Sequence, residues 1–294
     1  MNHDDIASLA MKYYEKMRAN YHNDDNHKIT PENVFQKGIR HNYDLFMELV
    51  DRLMLPGSGV KGAENLQETF SILKGGESVL FLMKHSGNFD VPCIYSLLSR
   101  EGNQYQDILD RLVFIAGRKL NEDSPIVKIF TEVFSRLIVV PHREIPRDTD
   151  HETREQKAHR QALVREATRI NRASLREMMR LKKQGYIIVL FPMGGRPKPW
   201  LNEHNNGVKE TTSYMRLFDW VHFIGMTGNL MPVGDTMQDE KPRRDTIVFT
   251  VSEPIRAKAY LEESRRLFKG QNEIDDFDQF NVNRVMKAIG QTRD

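Results

Sequence analysis

The chain's 294 residues predict an α/β protein, a mixed, mostly parallel twisted sheet flanked by helices, with a small N-terminal helical subdomain. Three observations predict it. Short unbroken apolar runs, above all Val79–Met83 and Ile187–Phe191, are too short for helices and suit strands buried on both faces. After Gly76 such runs alternate with helical patterns, the order expected of an α/β sheet. Residues 1 to 74 instead carry helical patterning, so the expected division is a helical subdomain at 1–74 and an α/β domain at 75–294.

In order, 4–22 and 31–54 are expected as helices, with Thr30 as a cap before Pro31 at the first helical position. Pro56-Gly-Ser-Gly breaks the pattern, and a short helix at about 63–74 ends at Gly75-Gly76. Strands are expected at 78–84, 112–116, 137–141, 186–191, 222–226 and 246–252. Helices are expected at 91–99, 124–134, 152–184 and 258–268, with one more beyond Gly270. Within 152–184, Leu163, Ala167, Ile170, Met178 and Leu181 share one side at 100° per residue. Arg165, Arg169, Arg172, Arg176 and Arg180 fall opposite them, as a solvated face or a contact for an acidic partner. Ser174 and Glu177 could open a new helix as a capping box, but the phase running through them predicts one long helix.

Composition narrows the classes. With 39% hydrophobic and 29% charged residues the chain suits a soluble globular protein. A net charge of +2 gives no global signal for nucleic acid or membrane, and no nucleic-acid partner is expected. Cys93 is the only cysteine, which excludes an internal disulfide or Cys-based zinc site and fits a reducing compartment. No apolar segment approaches 18 residues, and Met-Asn-His-Asp-Asp lacks the basic start and apolar core of a secretion signal. The expected location is cytoplasmic, with peripheral membrane contact as the alternative.

The chemistry begins at the end of the 78–84 strand, which delivers His85 to a Ser-Gly-Asn turn. Pro92 suits the first turn of the next helix, which brings Asp90 back toward the histidine. On one continuous helix, residues five apart would diverge by about 140°, whereas across a turn they can meet. A carboxylate holding one imidazole nitrogen leaves the other free to accept a proton. The alternative is that Asp90 caps the helix and His85 is an ordinary loop residue.

Three further strand ends run into cations: Gly117-Arg118-Lys119, Pro141-His142-Arg143, and Phe191-Pro-Met-Gly194-Gly195-Arg196-Pro-Lys198. The Gly194-Gly195 amides could face an anion, with Arg196 and Lys198 close behind. Singly, each is more often a plain turn or a solvated cation. Jointly they matter, because ligands of open α/β sheets bind outside the carboxyl ends of strands. No phosphate-loop Gly-x-x-x-x-Gly-Lys occurs, and Gly57-x-Gly59-x-x-Gly62, which has the dinucleotide glycine spacing, lies between two expected helices instead of following an expected strand. The combination points to a histidine base beside a pocket for a phosphorylated small molecule.

These residues carry a family resemblance. His85-x-x-x-x-Asp90 matches the His-x4-Asp box of glycerolipid acyltransferases. Phe114-Ile-Ala-Gly117, Ser174-Leu-Arg-Glu-Met178, Pro192-Met-Gly-Gly-Arg196-Pro-Lys198-Pro199 and Met231-Pro-Val233 are similar, in order and spacing, to blocks of the soluble, plastid-type glycerol-3-phosphate 1-O-acyltransferases. The resemblance covers about 78–235. It implies acyl transfer from an acyl-carrier-protein or coenzyme A thioester to the 1-hydroxyl of glycerol 3-phosphate, with no resident cofactor or metal. It makes His85 the general base and Asp90 its orienter, and assigns His142, Arg143, Arg196 and Lys198 to the phosphate. Arg118 and Lys119 join the substrate-binding set although the plastid pattern has an acidic residue before the basic one there. The membrane-bound relatives carry Glu where this chain has Met193, a departure that favours the plastid-type grouping. No Gly-x-Ser-x-Gly elbow occurs, so a serine nucleophile is not expected. Another acceptor such as lysophosphatidate, and a non-catalytic phosphate- or lipid-binding protein, are the alternatives.

Overall fold

The computed structural model describes residues 3–21, 28–122, 125–148, 152–196, 207–234, 239–269 and 276–292. The chain runs α1 (His3–Ala19), β1 (Phe35–Gln36), α2 (Tyr43–Leu53), β2 (Gly59–Lys61), α3 (Asn65–Lys74) and β3 (Val79–Met83). It continues through α4 (Asp90–Arg100), α5 (Gln106–Arg111), β4 (Leu112–Gly117), α6 (Lys119–Glu122), α7 (Pro125–Thr131) and β5 (Arg136–Val139). Then follow α8 (Arg154–Lys183), β6 (Ile187–Leu190), α9 (Glu210–Met215) and β7 (Trp220–Thr227). It closes with β8 (Val248–Val251), β9 (Ile255–Arg256), α10 (Ala257–Phe268) and α11 (Phe277–Gln291).

Among the described residues the strands form one nine-stranded sheet in the order β1-β5-β4-β6-β3-β7-β8-β2, with β9 also on β7. From β5 to β7 every neighbouring pair is parallel, while β1, β8 and β9 run antiparallel to their partners β5, β7 and β7. The fold is therefore the mixed, mostly parallel α/β architecture expected. The central strands are apolar throughout because helices cover both faces: all five residues of β3 and all four of β6 are buried. Val79, Phe81 and Met83 pack with Phe46, Leu49 and Ile94, while Leu80 and Leu82 pack with Ala167, Ile170 and Leu181 on the other face.

The helix expected at 31–54 forms only over Tyr43–Leu53. Residues 31–36 instead make a turn and the edge strand β1, because the sheet offers their backbone better partners than a helix would. Thr30 caps only a single turn: its hydroxyl accepts from the Glu32 N–H at 3.4 Å and its N–H donates to Asn33 Oδ1 at 2.7 Å, but no α-helix follows. The Val34 carbonyl accepts from Ile138 N–H at 2.8 Å, and Ile39 N–H donates to the Glu132 carbonyl. The first 74 residues thus supply α1–α3 and also two strands of the same sheet, β1 and β2.

Helix α8 is continuous for 30 residues and starts at a reciprocal capping box between Thr153 and Gln156. Ser174 does not interrupt it. Its hydroxyl is buried against the carbonyls of Ile138 and Ile170, fixing the helix to β5. The five arginines are exposed on the outward side, and Arg180 pairs with Glu177 at 2.5 Å. Arg169, Arg172 and Arg176 line shallow grooves of about 420 and 300 Å³ beside Pro31 and Glu32.

One buried histidine has a consequence for stability. His222 on β7 is fully buried, with Nδ1 2.8 Å from the Ser252 carbonyl and Nε2 2.9 Å from the Thr69 hydroxyl. A carbonyl only accepts, so Nδ1 carries the proton and Nε2 accepts from Thr69. Burial pushes this imidazole from the ordinary 6.5 down to about 4. Between those values the unfolded chain takes a proton that the folded chain refuses, so stability falls as pH drops through that window. The loss reaches about 3 kcal/mol at 1.36 kcal/mol per pKa unit. Thermal unfolding followed from pH 7 to pH 4 should show a declining midpoint, and His222→Gln should flatten that decline.

Candidate active site

Parallel strands β5, β4, β6, β3 and β7 end at one edge of the sheet, so the loops that follow them are neighbours. The chain leaves β3 through α4 on one face, whereas α9, which follows β6, packs on the other. Adjacent strands whose connections depart to opposite faces open a crevice between their carboxyl ends. His85 and Phe191 stand at this place. Their rings stack with centroids 4.3 Å apart and planes 22° apart, and Phe114 backs Phe191 at 6.2 Å.

Asp90 is the first residue of α4 and is 1% exposed. Its Oδ2 lies 2.8 Å from His85 Nδ1 and accepts from the Ser86 N–H at 2.5 Å. The Gly87 N–H is shared between Oδ2 at 3.0 Å and Oδ1 at 3.1 Å. These amides belong to the turn before the helix, not to its first turn, so Asp90 ties the turn rather than capping α4. Because a carboxylate accepts, His85 donates through Nδ1–H and presents Nε2 with a free lone pair. The His85 side chain is 18% exposed, enough for a ligand to reach that nitrogen.

The turn is braced from the loop after β7. Asn229 Nδ2 donates to the Ser86 carbonyl at 2.7 Å, and Gly87 bridges to Pro232. A Cβ at Gly87 would collide with Asn229 Oδ1 and the Met231 carbonyl oxygen, so the close approach requires glycine. Sequence reasoning passed over Asn229, whose only signal is a Gly-Asn turn after an apolar run.

The cationic strand ends are less uniform. Arg143 Nη2 donates to the Gly194 carbonyl at 3.0 Å, which brings the loops after β5 and β6 together. Gly194 takes the left-handed conformation at φ +66°, and its N–H closes the turn on the Phe191 carbonyl instead of facing outward. Gly195 lies under the Arg143 guanidinium, its built Cβ 3.2 Å from Nη2. Arg196 is half-buried and donates through Nη1 to Glu240 Oε1 at 2.6 Å. His142 is exposed in a short 3-10 turn, and Lys119 is exposed at the start of α6. Arg118 turns toward carboxylates of α6 and α8, with Glu122 at 3.6 Å and Glu166 at 3.9 Å, and its Nε has no hydrogen-bond partner among the described residues. Lys198 lies outside the described residues. The structure therefore brings His85 and Asp90 together, joins Arg143 to the Gly-Gly turn, and commits Arg196 to a carboxylate that sequence reasoning did not single out. Among the described residues, no group of three or more His, Cys, Asp or Glu is placed to hold a metal ion.

No family model matches the chain, and no curated protein does. Among solved structures it is similar to a 1-acyl-sn-glycerophosphate acyltransferase from Thermotoga maritima, at 14% identity and a TM-score of 0.42. That alignment covers 98% of this chain and 90% of the Thermotoga chain. No helix among the described residues is long and apolar enough to cross a membrane.

Proposed function

We propose that the chain is an acyltransferase that moves a fatty acyl group from a thioester to the 1-hydroxyl of glycerol 3-phosphate, a step in phospholipid synthesis. The observation that carries the reading is the His85–Asp90 pair at the carboxyl end of β3, which leaves Nε2 as the imidazole nitrogen not held by Asp90. The order of blocks in the family resemblance is not needed for that chemistry, but it selects the substrate class. A thioester is already activated, so the main demand is to deprotonate the attacking hydroxyl. His85 Nε2 takes that proton as the alkoxide oxygen bonds to the acyl carbon. The tetrahedral intermediate then expels the sulfur, and the imidazolium returns the proton to the departing thiolate. Asp90 holds Nδ1–H throughout and stabilises the imidazolium.

This route uses no covalent acyl-enzyme, no metal and no resident cofactor; the thioester, on acyl carrier protein or coenzyme A, is a co-substrate. Arg143 and Arg196, from the loops after β5 and β6, are the cations we assign to the acceptor phosphate, with His142 and Lys198 as further members. Arg118 and Lys119 are kept only as outer contributors, since Arg118 already faces Glu122 and Glu166. The expected setting is the cytoplasm, with peripheral contact where the lipid product is delivered.

The test is a comparison of kcat/KM for glycerol 3-phosphate and lysophosphatidate, each with acyl-carrier-protein and coenzyme A donors. Glycerol 3-phosphate should win by about tenfold or more, as expected where a site discriminates between differently shaped acceptors. Preference for lysophosphatidate would move the acceptor assignment. Turnover of neither would remove the acyltransferase reading.

A further inference from the structure

Glu240 lies in the loop after β7, and its side chain is 3% exposed. Both carboxylate oxygens are engaged: Oε1 accepts from Arg196 Nη1 at 2.6 Å, and Oε2 accepts from the Asn88 side-chain amide. These partners are 44 and 152 residues away in sequence. Asn88 belongs to the turn between His85 and Asp90, and Arg196 to the turn after β6. One buried carboxylate thus joins the two loops that border the crevice.

A buried carboxylate deprived of its cation is strongly unfavourable, so the Arg196 guanidinium is held firmly at Nη1. Guanidinium offers five N–H donors in a fixed plane, and this contact uses one nitrogen. The Arg196 side chain is 29% exposed, so part of it is open to a ligand. With the positive charge already balanced, affinity for an anion depends on where the remaining donors point rather than on net charge.

Building on the acyl-transfer reading, we propose that Glu240 is a positioning residue for the acceptor phosphate. It fixes the free edge of Arg196 toward the crevice and holds the Asn88 turn that carries His85. It does not touch the substrate itself.

The test is a double-mutant cycle on Glu240 and Arg196, read as acceptor KM, donor KM and kcat, with glycerol 3-phosphate binding measured by calorimetry. Arg196→Ala should weaken acceptor binding by about 10- to 150-fold, the loss of one charge-assisted hydrogen-bonding group. Glu240→Ala should raise acceptor KM by roughly 10-fold and leave donor KM within about threefold. Glu240→Gln, which keeps one accepting oxygen, should recover most of that loss. Glu240→Ala combined with Arg196→Ala should bind acceptor no worse than Arg196→Ala alone, since Glu240 would have no guanidinium left to aim, while the loss of its hold on the Asn88 turn should fall on kcat. Should Glu240→Ala fail to fold, Glu240→Gln takes its place in the cycle, with a rise of about threefold that also vanishes in the Arg196→Ala background. Wild-type binding with acceptor-binding losses that multiply in the double variant would overturn the Glu240 proposal alone. Absence of glycerol 3-phosphate binding by the wild type would overturn both it and the acceptor assignment.

Discussion

With His85 as the proposed general base, His85→Ala should lower kcat by about 10² to 10⁴ while the protein stays folded, because loss of such a group costs that much. The side chain sits at a loop on the sheet edge, partly exposed and stacked on one face by Phe191. Removing it costs little packing, so thermal midpoint and far-ultraviolet circular dichroism should remain close to those of the wild type. KM for the donor and acceptor should change far less than kcat, since in the proposed mechanism the imidazole acts on the hydroxyl proton in the transition state. Rates measured on purified, folded variant decide the matter. Near-normal turnover would remove His85 from the mechanism.

Asp90→Asn should be nearly as severe in rate, and it should also cost stability. The carboxylate accepts from His85 Nδ1–H and from the Ser86 and Gly87 amides, three N–H groups on two oxygens. An amide supplies one oxygen and one NH2, so at least one of those donors would face another donor. If the NH2 is turned toward the ring, Nδ1 becomes the acceptor and Nε2 carries the proton, the wrong tautomer for a base. Loss of the orienting carboxylate costs up to about 10⁴ in comparable histidine–carboxylate pairs. An unsatisfied buried donor adds a destabilisation of about 1–3 kcal/mol. The expected result is a large fall in kcat together with a lowered unfolding midpoint. A lowered midpoint with full kcat would show that Asp90 only builds the turn.

The parts of this fold that were legible in the sequence are those with a local cause. The central strands announce themselves because residues such as Val79–Met83 are apolar at every position, as a strand covered on both faces requires. The length of α8 was legible because its apolar phase never breaks, and the structure explains why Ser174 does not stop it: the hydroxyl is spent on β5. Strands β1, β2 and β9 were not legible, being two or three residues long and held by partners from distant parts of the chain. The Thr30-Pro31 helix start was overridden for the same reason. At the site, His85 and Asp90 fall within six consecutive residues, so their meeting needs only a turn. Glu240 and Asn229 have no such signal, because each reaches the turn from a polar loop after β7. The capping alternative for Asp90 could be decided only by seeing which amides it accepts.

The most direct test of the central claim is thiol release from an acyl thioester by the wild-type protein, measured with and without glycerol 3-phosphate. Direct attack by a hydroxyl activated at His85 predicts release that depends on the acceptor, matched by lysophosphatidate formation. Release without acceptor that leaves an acylated protein, or no release under either condition, would contradict it.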